Sequence, residues 1–163
     1  MATPSVLSGL YNYSNLRLPL SQVVLVYTEW NEIIVSKLRE GAKKILSTCQ
    51  EISIQELMVP GAVEIPFAIR QHYRHKPATA YIALGCVIRG ETPHFDYVCD
   101  SVVQGVTYLN TTLDAPVIFG VLTVNSNEEA YERLGGVHGH KGEEAAIAAL
   151  KMIALKHDIF NAS

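Results

Sequence analysis

The residues of this chain able to do chemistry on a small molecule lie in a few short stretches. His94 follows Arg89, Gly90, Glu91, Thr92 and Pro93 at the mouth of the most apolar segment. An imidazole titrates near neutral pH and both accepts and returns a proton, which suits condensation chemistry; a polar histidine that caps a turn is the other reading. Arg133 and Lys141 carry groups that bind an anion such as phosphate through charge-assisted hydrogen bonds. Taken singly they read more simply as surface cations, the arginine answering a helix carboxyl end. Trp30, the only tryptophan, stands where a strand turns into a helix, as either a plug of the core or a platform for a flat ligand. Glu64, directly after Gly61, Ala62 and Val63, could accept hydrogen bonds from a polyol or merely oppose the dipole of the helix it begins.

Other chemistries are excluded by pattern. His138 and His140 share a glycine-rich loop at a spacing that matches no common ligand arrangement, so no metal site is expected. There is no GxxxxGK[ST] phosphate loop, no GxGxxG turn after the first strand and no GxSxG elbow.

Alternating strand and helix signals must hold these residues. The apolar run 23–27 reads as a strand and passes into helical spacing with Ile33, Ile34, Leu38, Ala42, Ile45 and Leu46 on the inner face. A second unit has a strand ending near Met58 and Val59, the breakers Pro60 and Gly61, and a short helix carrying Ile65, Phe67, Ala68 and Ile69. Residues 80–88 are almost all apolar, as in a central parallel strand covered on both faces, and lead through a loop to a helix from Tyr97 to Leu109. After a fourth strand at 116–122, Ser126 and Glu129 form a capping box for a short helix that ends near Leu134, where Gly135 and Gly136 stop it. The last helix, from Glu143 to about His157, turns Ala146, Ala149, Leu150 and Ile153 inward. Residues 1–21 read as an extended arm and 22–163 as a single domain. The whole predicts a three-layer α/β/α sandwich with a mainly parallel central sheet, flavodoxin-like, with right-handed crossovers. Ligands of such sheets bind beyond the carboxyl ends of the strands, which nominates the turns at Trp30, at 61–64, at 90–94 and after Leu122.

Composition narrows the function classes. At 163 residues with 48% hydrophobic and 18% charged content, one core forms without staples. Thirteen basic against sixteen acidic residues leave a net charge of -3 and no basic stripe, so nucleic acid is not an expected partner. Three cysteines without a CxxC spacing suit buried thiols in a reducing compartment. With no secretion signal and no apolar run of about 20 residues, the expected address is cytoplasmic and no membrane contact is expected.

Read together, the turns resemble the 6,7-dimethyl-8-ribityllumazine synthase family of riboflavin biosynthesis. The blocks are Trp30 and Asn31 before a helix, VPGAVEI at 59–65, ALGCVIRGETPHFDYV at 83–98, PVIFGVLT at 116–123, and Glu132-Arg133 with Lys141-Gly142, in the family's order over roughly residues 23–155. The resemblance implies a condensation of 5-amino-6-(D-ribitylamino)uracil with 3,4-dihydroxy-2-butanone 4-phosphate to 6,7-dimethyl-8-ribityllumazine, without cofactor or metal. By matching position, Trp30 and Asn31 would meet the pyrimidine, Ala62, Val63 and Glu64 the ribityl chain, and the backbone of Cys86, Val87 and Ile88 the pyrimidine edge. Glu91 and Thr92 would cradle the phosphate, and His94 would move protons. Phe119, Arg133 and Lys141 match residues supplied by a neighbouring subunit, so the resemblance implies a homo-oligomer, a pentamer or a multiple of it, with sites between subunits and the arm lying on a neighbour. Trp30 stands where the family usually has phenylalanine, Val63 where an aromatic is common, and Val137 and His140 where lysine and asparagine are frequent. A tryptophan platform also resembles members that bind riboflavin; flavin storage, or a scaffold role as a shell protein, are the alternatives to catalysis.

Overall fold

Along the first strand Val23 and Leu25 point to one face and Val24 and Val26 to the other, and all four are fully buried, so this strand needs cover on both sides. The computed structural model describes residues 12–162 and supplies that cover. Strands β1 (Ser21–Thr28), β2 (Ile52–Val59), β3 (Ala80–Ile88) and β4 (Val117–Val124) form one sheet in the order β2-β1-β3-β4, with every neighbouring pair parallel. Helices α1 (Glu32–Leu46) and α5 (Lys141–Asn161) pack on one face, while α2 (Ile65–His75) and α3 (His94–Thr112) pack on the other. This is the expected three-layer α/β/α arrangement. The chain leaves β1 for β2 on one side and returns to β3 on the other, so the carboxyl ends of β1 and β3 flank the point where the strand order reverses.

Each layer follows from side-chain spacing. In α1 the buried set is Ile34, Val35, Leu38, Gly41, Ala42, Ile45 and Leu46, an i, i+3/i+4 stripe. Ile33, expected on that face, is 68% exposed because it falls one helical step outside the stripe. Phe67 is likewise exposed, since α2 buries Ile65 and Ile69 and a residue two positions from each points the opposite way. On the α2/α3 side, buried Tyr81 accepts a hydrogen bond from Ala78 N–H (3.2 Å), and its hydroxyl lies 2.9 Å from His72 Nδ1. Burial lowers the His72 pKa and raises that of Tyr81, favouring the neutral form of both groups where they meet.

Some boundaries differ from the sequence expectation. Helix α4 (Asn127–Tyr131) has the expected cap, Ser126 Oγ accepting from Glu129 N–H at 3.3 Å, but stops before Leu134. Gly135 and Gly136 do not simply end a helix: β5 (Leu134–Gly136) pairs antiparallel with β6 (Gly139–His140) in a small hairpin. Helix α5 begins at Lys141 and runs past His157, and α3 begins at His94, three residues before the expected Tyr97. Residues 1–11 of the expected arm lie outside the described residues. In the part described, Tyr13, Leu16 and Leu18 pack against the α1/α5 core of the same chain, and Leu20 is exposed. Cys86 is buried, whereas Cys49 and Cys99 are only partly so, and all three are free thiols.

Candidate active site

The turn after β1 is tied to both neighbouring strands. Glu29 N–H donates to Val59 O (2.8 Å) and Trp30 N–H to Pro60 O (3.2 Å), which extends the β1/β2 contact beyond the strands. Buried Thr28 donates its hydroxyl proton to Trp30 O (3.1 Å). Asn31 reverses the chain into α1 with φ 59°, a left-handed conformation that asparagine tolerates, and its Nδ2 donates to Cys86 O at the end of β3 (2.8 Å). This carboxamide braces the two strand ends between which a ligand would sit.

On that brace stands Trp30, 67% exposed, which excludes the core-plug reading. Its six-membered ring lies against Gly61: a Cβ there would come within 2.8 Å of Cζ3 and 3.0 Å of Glu64 Oε2. Only glycine lets the ring and the Glu64 carboxylate approach together. The 3-10 turn Ala62–Glu64 follows, burying Ala62 and exposing Val63 and Glu64 at the start of α2. From β3, Cys86, Val87 and Ile88 form the opposite wall, with His94 and Val98 of α3 beyond it. These groups enclose a cleft of about 410 Å³ at the β1/β3 switch point. It is apolar on its walls with a few convergent polar groups, the usual make-up of a small-molecule site.

Loop 90–93 joins β3 to α3 between the cleft residues Ile88 and His94, and an ion pair between its flanking residues clamps it. Arg89 makes a two-pronged ion pair with Asp96 in the first turn of α3 (2.8 and 3.3 Å), and its guanidinium stacks 4.2 Å from the Phe95 ring centre. The hydrogen bonds that Arg89 donates to Asp96 raise the Arg89 pKa further. Thr92 Oγ1 accepts from His94 N–H (3.4 Å), and Glu91, Thr92 and His94 are exposed around the amino end of a 19-residue helix. Backbone N–H groups and the helix dipole make that end favourable to an anion. Burial pushes the Cys86 thiol up to about 11, so it stays protonated near neutral pH and is no nucleophile.

The chain thus brings Trp30, Asn31, Ala62, Val63, Glu64, Cys86, Val87, Ile88 and His94 to one cleft; Glu91 and Thr92 are not among its lining residues and lie exposed in the loop that leads to His94. It does not bring Phe119, Arg133 or Lys141 there. Phe119 and Lys141 line a different recess, of about 300 Å³, along edge strand β4 and α5. Lys141 Nζ is held by both oxygens of Glu144 (2.9 and 2.8 Å). Arg133 Nη1 donates to Glu129 O (2.7 Å), and Arg133 O accepts from Lys141 N–H (2.9 Å). Among the described residues no three His, Cys, Asp or Glu side chains gather as a metal-binding group. His138 lies 3.5 Å from Glu132, and His140 caps α5.

Thr28, Val98 and the Arg89–Asp96 clamp were not singled out from sequence. Opposite charges at a strand end and in the next helix's first turn, flanking a short loop, were the available signal for the clamp.

With this geometry in place, comparison with known proteins is decisive: residues 21–157 match the 6,7-dimethyl-8-ribityllumazine synthase family. The chain belongs to this family. Proteins named 6,7-dimethyl-8-ribityllumazine synthase are similar to it over most of its length. That of Bdellovibrio bacteriovorus is 48% identical over 138 residues, covering 85% of this chain and 76% of the relative. That of Bacteroides fragilis is 47% identical over 131 residues, covering 79% and 92% respectively. The Parabacteroides distasonis protein is 45% identical over 131 residues, covering 79% and 82%. The lumazine synthase match spans all four strands of the sheet, the cleft, and the residues on β4, the hairpin and α5.

Proposed function

We propose that this chain carries out its family's reaction in the β1/β3 cleft, with a second copy completing the site. It is a transferase-type enzyme of riboflavin biosynthesis. The reaction is the condensation of 5-amino-6-(D-ribitylamino)uracil with 3,4-dihydroxy-2-butanone 4-phosphate to 6,7-dimethyl-8-ribityllumazine, with loss of phosphate and water. The observation that carries the residue assignment is the convergence of an exposed indole, a carboxylate and an imidazole on one cleft. In this reading Trp30 stacks on the pyrimidine and Glu64, beside Ala62 and Val63, accepts from the ribityl hydroxyls. The backbone at Cys86, Val87 and Ile88 meets the ring edge, and Asn31 holds the two walls together. Glu91, Thr92 and the amino end of α3 receive the phosphate, and His94 transfers protons during imine formation, phosphate elimination and ring closure. Most of the acceleration comes from holding two small molecules in register, which raises their effective concentration.

Phe119, Arg133 and Lys141 serve the site of an adjacent subunit, which supports a homo-oligomer, a pentamer or multiples of one. No helix among the described residues is long and apolar enough to cross a membrane, and cytoplasmic residence of a single domain at 22–163 completes the proposal. Family membership places catalysis ahead of riboflavin storage and of a purely scaffolding role.

The test is enzyme-dependent lumazine fluorescence, corrected for the spontaneous reaction, from the purified full chain. His94→Ala is expected to lower turnover about 10- to 1,000-fold without abolishing it, because orientation survives. A wild-type rate in that variant removes His94 from the mechanism.

A further inference from the structure

The β5/β6 hairpin has Arg133 at its entry and Lys141 at its exit, joined by the Lys141 N–H to Arg133 O hydrogen bond. That bond sets the two cations relative to each other, and His140 sets them relative to the rest of the subunit. Its imidazole lies directly on α1 at Gly41, where a Cβ would collide with the ring and stand only 2.8 Å from Nε2. The opposite edge faces Gly135 of β5, whose Cβ position is 3.8 Å from Cδ2. From this seat Nδ1 accepts from Glu143 N–H (3.4 Å), covering one of the amides at the start of α5 that have no helical partner. A single ring therefore joins the hairpin, α1 and the first turn of α5.

We propose that His140 is a positioning residue for the anion-binding pair Arg133 and Lys141, holding the hairpin at the height from which they reach substrate phosphate. This rests on the reading of Arg133 and Lys141 as substrate contacts. The seat needs an unprotonated Nδ1, since a doubly protonated ring has no acceptor. The charged groups around it are Lys37, Glu40 and Lys44 on α1 and Glu143 on α5, with Lys44 and Glu143 paired at 2.9 Å.

Steady-state kinetics and amide hydrogen exchange on the full chain test this. His140→Ala should raise KM for the phosphorylated four-carbon substrate about fivefold, while kcat and KM for the pyrimidine stay within about twofold. Exchange should quicken at 133–143 and not at the ends of β1 and β3. His140→Asn, whose carboxamide oxygen also caps, should recover most of the KM and the slow exchange. If Arg133→Ala raises KM by about tenfold or more while His140→Ala changes neither KM nor exchange, the proposal is overturned and the site reading stands. If Arg133→Ala leaves KM unchanged, the site reading fails and the kinetic role of His140 falls with it, whatever the exchange shows.

Discussion

The two groups of site residues differ in how the chain holds them. Those around the β1/β3 switch point converge on a shared cleft through three turns tied by backbone hydrogen bonds, the Asn31–Cys86 brace and the Arg89–Asp96 clamp. Those on β4, the hairpin and α5 stay out of that cleft: Phe119, 40% exposed on an edge strand, and Lys141 line a separate recess. The first group is rigid because strands of one sheet end together there. The second is presented outward, its order supplied by a small hairpin seated on α1. The proposed site, built from both, needs two copies.

The sharpest break of this comparison is complementation. His94→Ala and Arg133→Ala should each lose about 10- to 1,000-fold in turnover, yet equal amounts co-refolded should recover about a quarter of wild-type activity, because a quarter of random interfaces join two intact halves. No recovery in verified mixed oligomers sinks the two-copy site. Next in size, Trp30→Ala should raise KM for the pyrimidine about tenfold with a smaller change for the phosphate substrate, measured by varying each separately. Equal shifts for both would mean that the cleft does not divide its ligands as described. Gly61→Ala forces the Trp30 ring and Glu64 aside and should cost about 1 to 3 kcal/mol in urea unfolding while weakening pyrimidine binding several-fold.

The smallest effect concerns neither half. The folded pKa of His72 lies below the ordinary 6.5, so the unfolded chain takes up a proton first as the pH falls. Stability is complete above that value and declines as pH drops toward the folded value. His72→Gln should flatten this decline in urea midpoints measured at about pH 7.5 and pH 5.5, leaving the kinetics of both halves untouched.

Legibility follows the same division. Val23 to Val26 and the nine residues of β3 announce buried parallel strands because both faces are apolar, and Pro60-Gly61 and Gly90 mark where strands give way to turns. Trp30, Glu64 and His94 were therefore found as candidates from position alone. The hairpin was not, because strands of three and two residues carry no period. His140 read as a failed metal ligand, since nothing local says that its ring rests on Gly41, about a hundred residues earlier in the chain. Ile33 and Phe67 show the other limit: their apolarity was legible and their direction was not, because one helical step separates a packed face from an open one.

By itself the sequence determined the alternation of strands and helices, the candidate turns and, through the block at 83–98, the resemblance that family membership bears out. Side-chain periodicity and turn chemistry are local and survive in a linear string. Only the tertiary structure decided that β1 and β3 are neighbours, that Asn31 braces Cys86, and that Arg133 and Lys141 lie outside the cleft of their own chain. Those outcomes depend on which faces pack across long stretches of chain, and no local pattern encodes that choice.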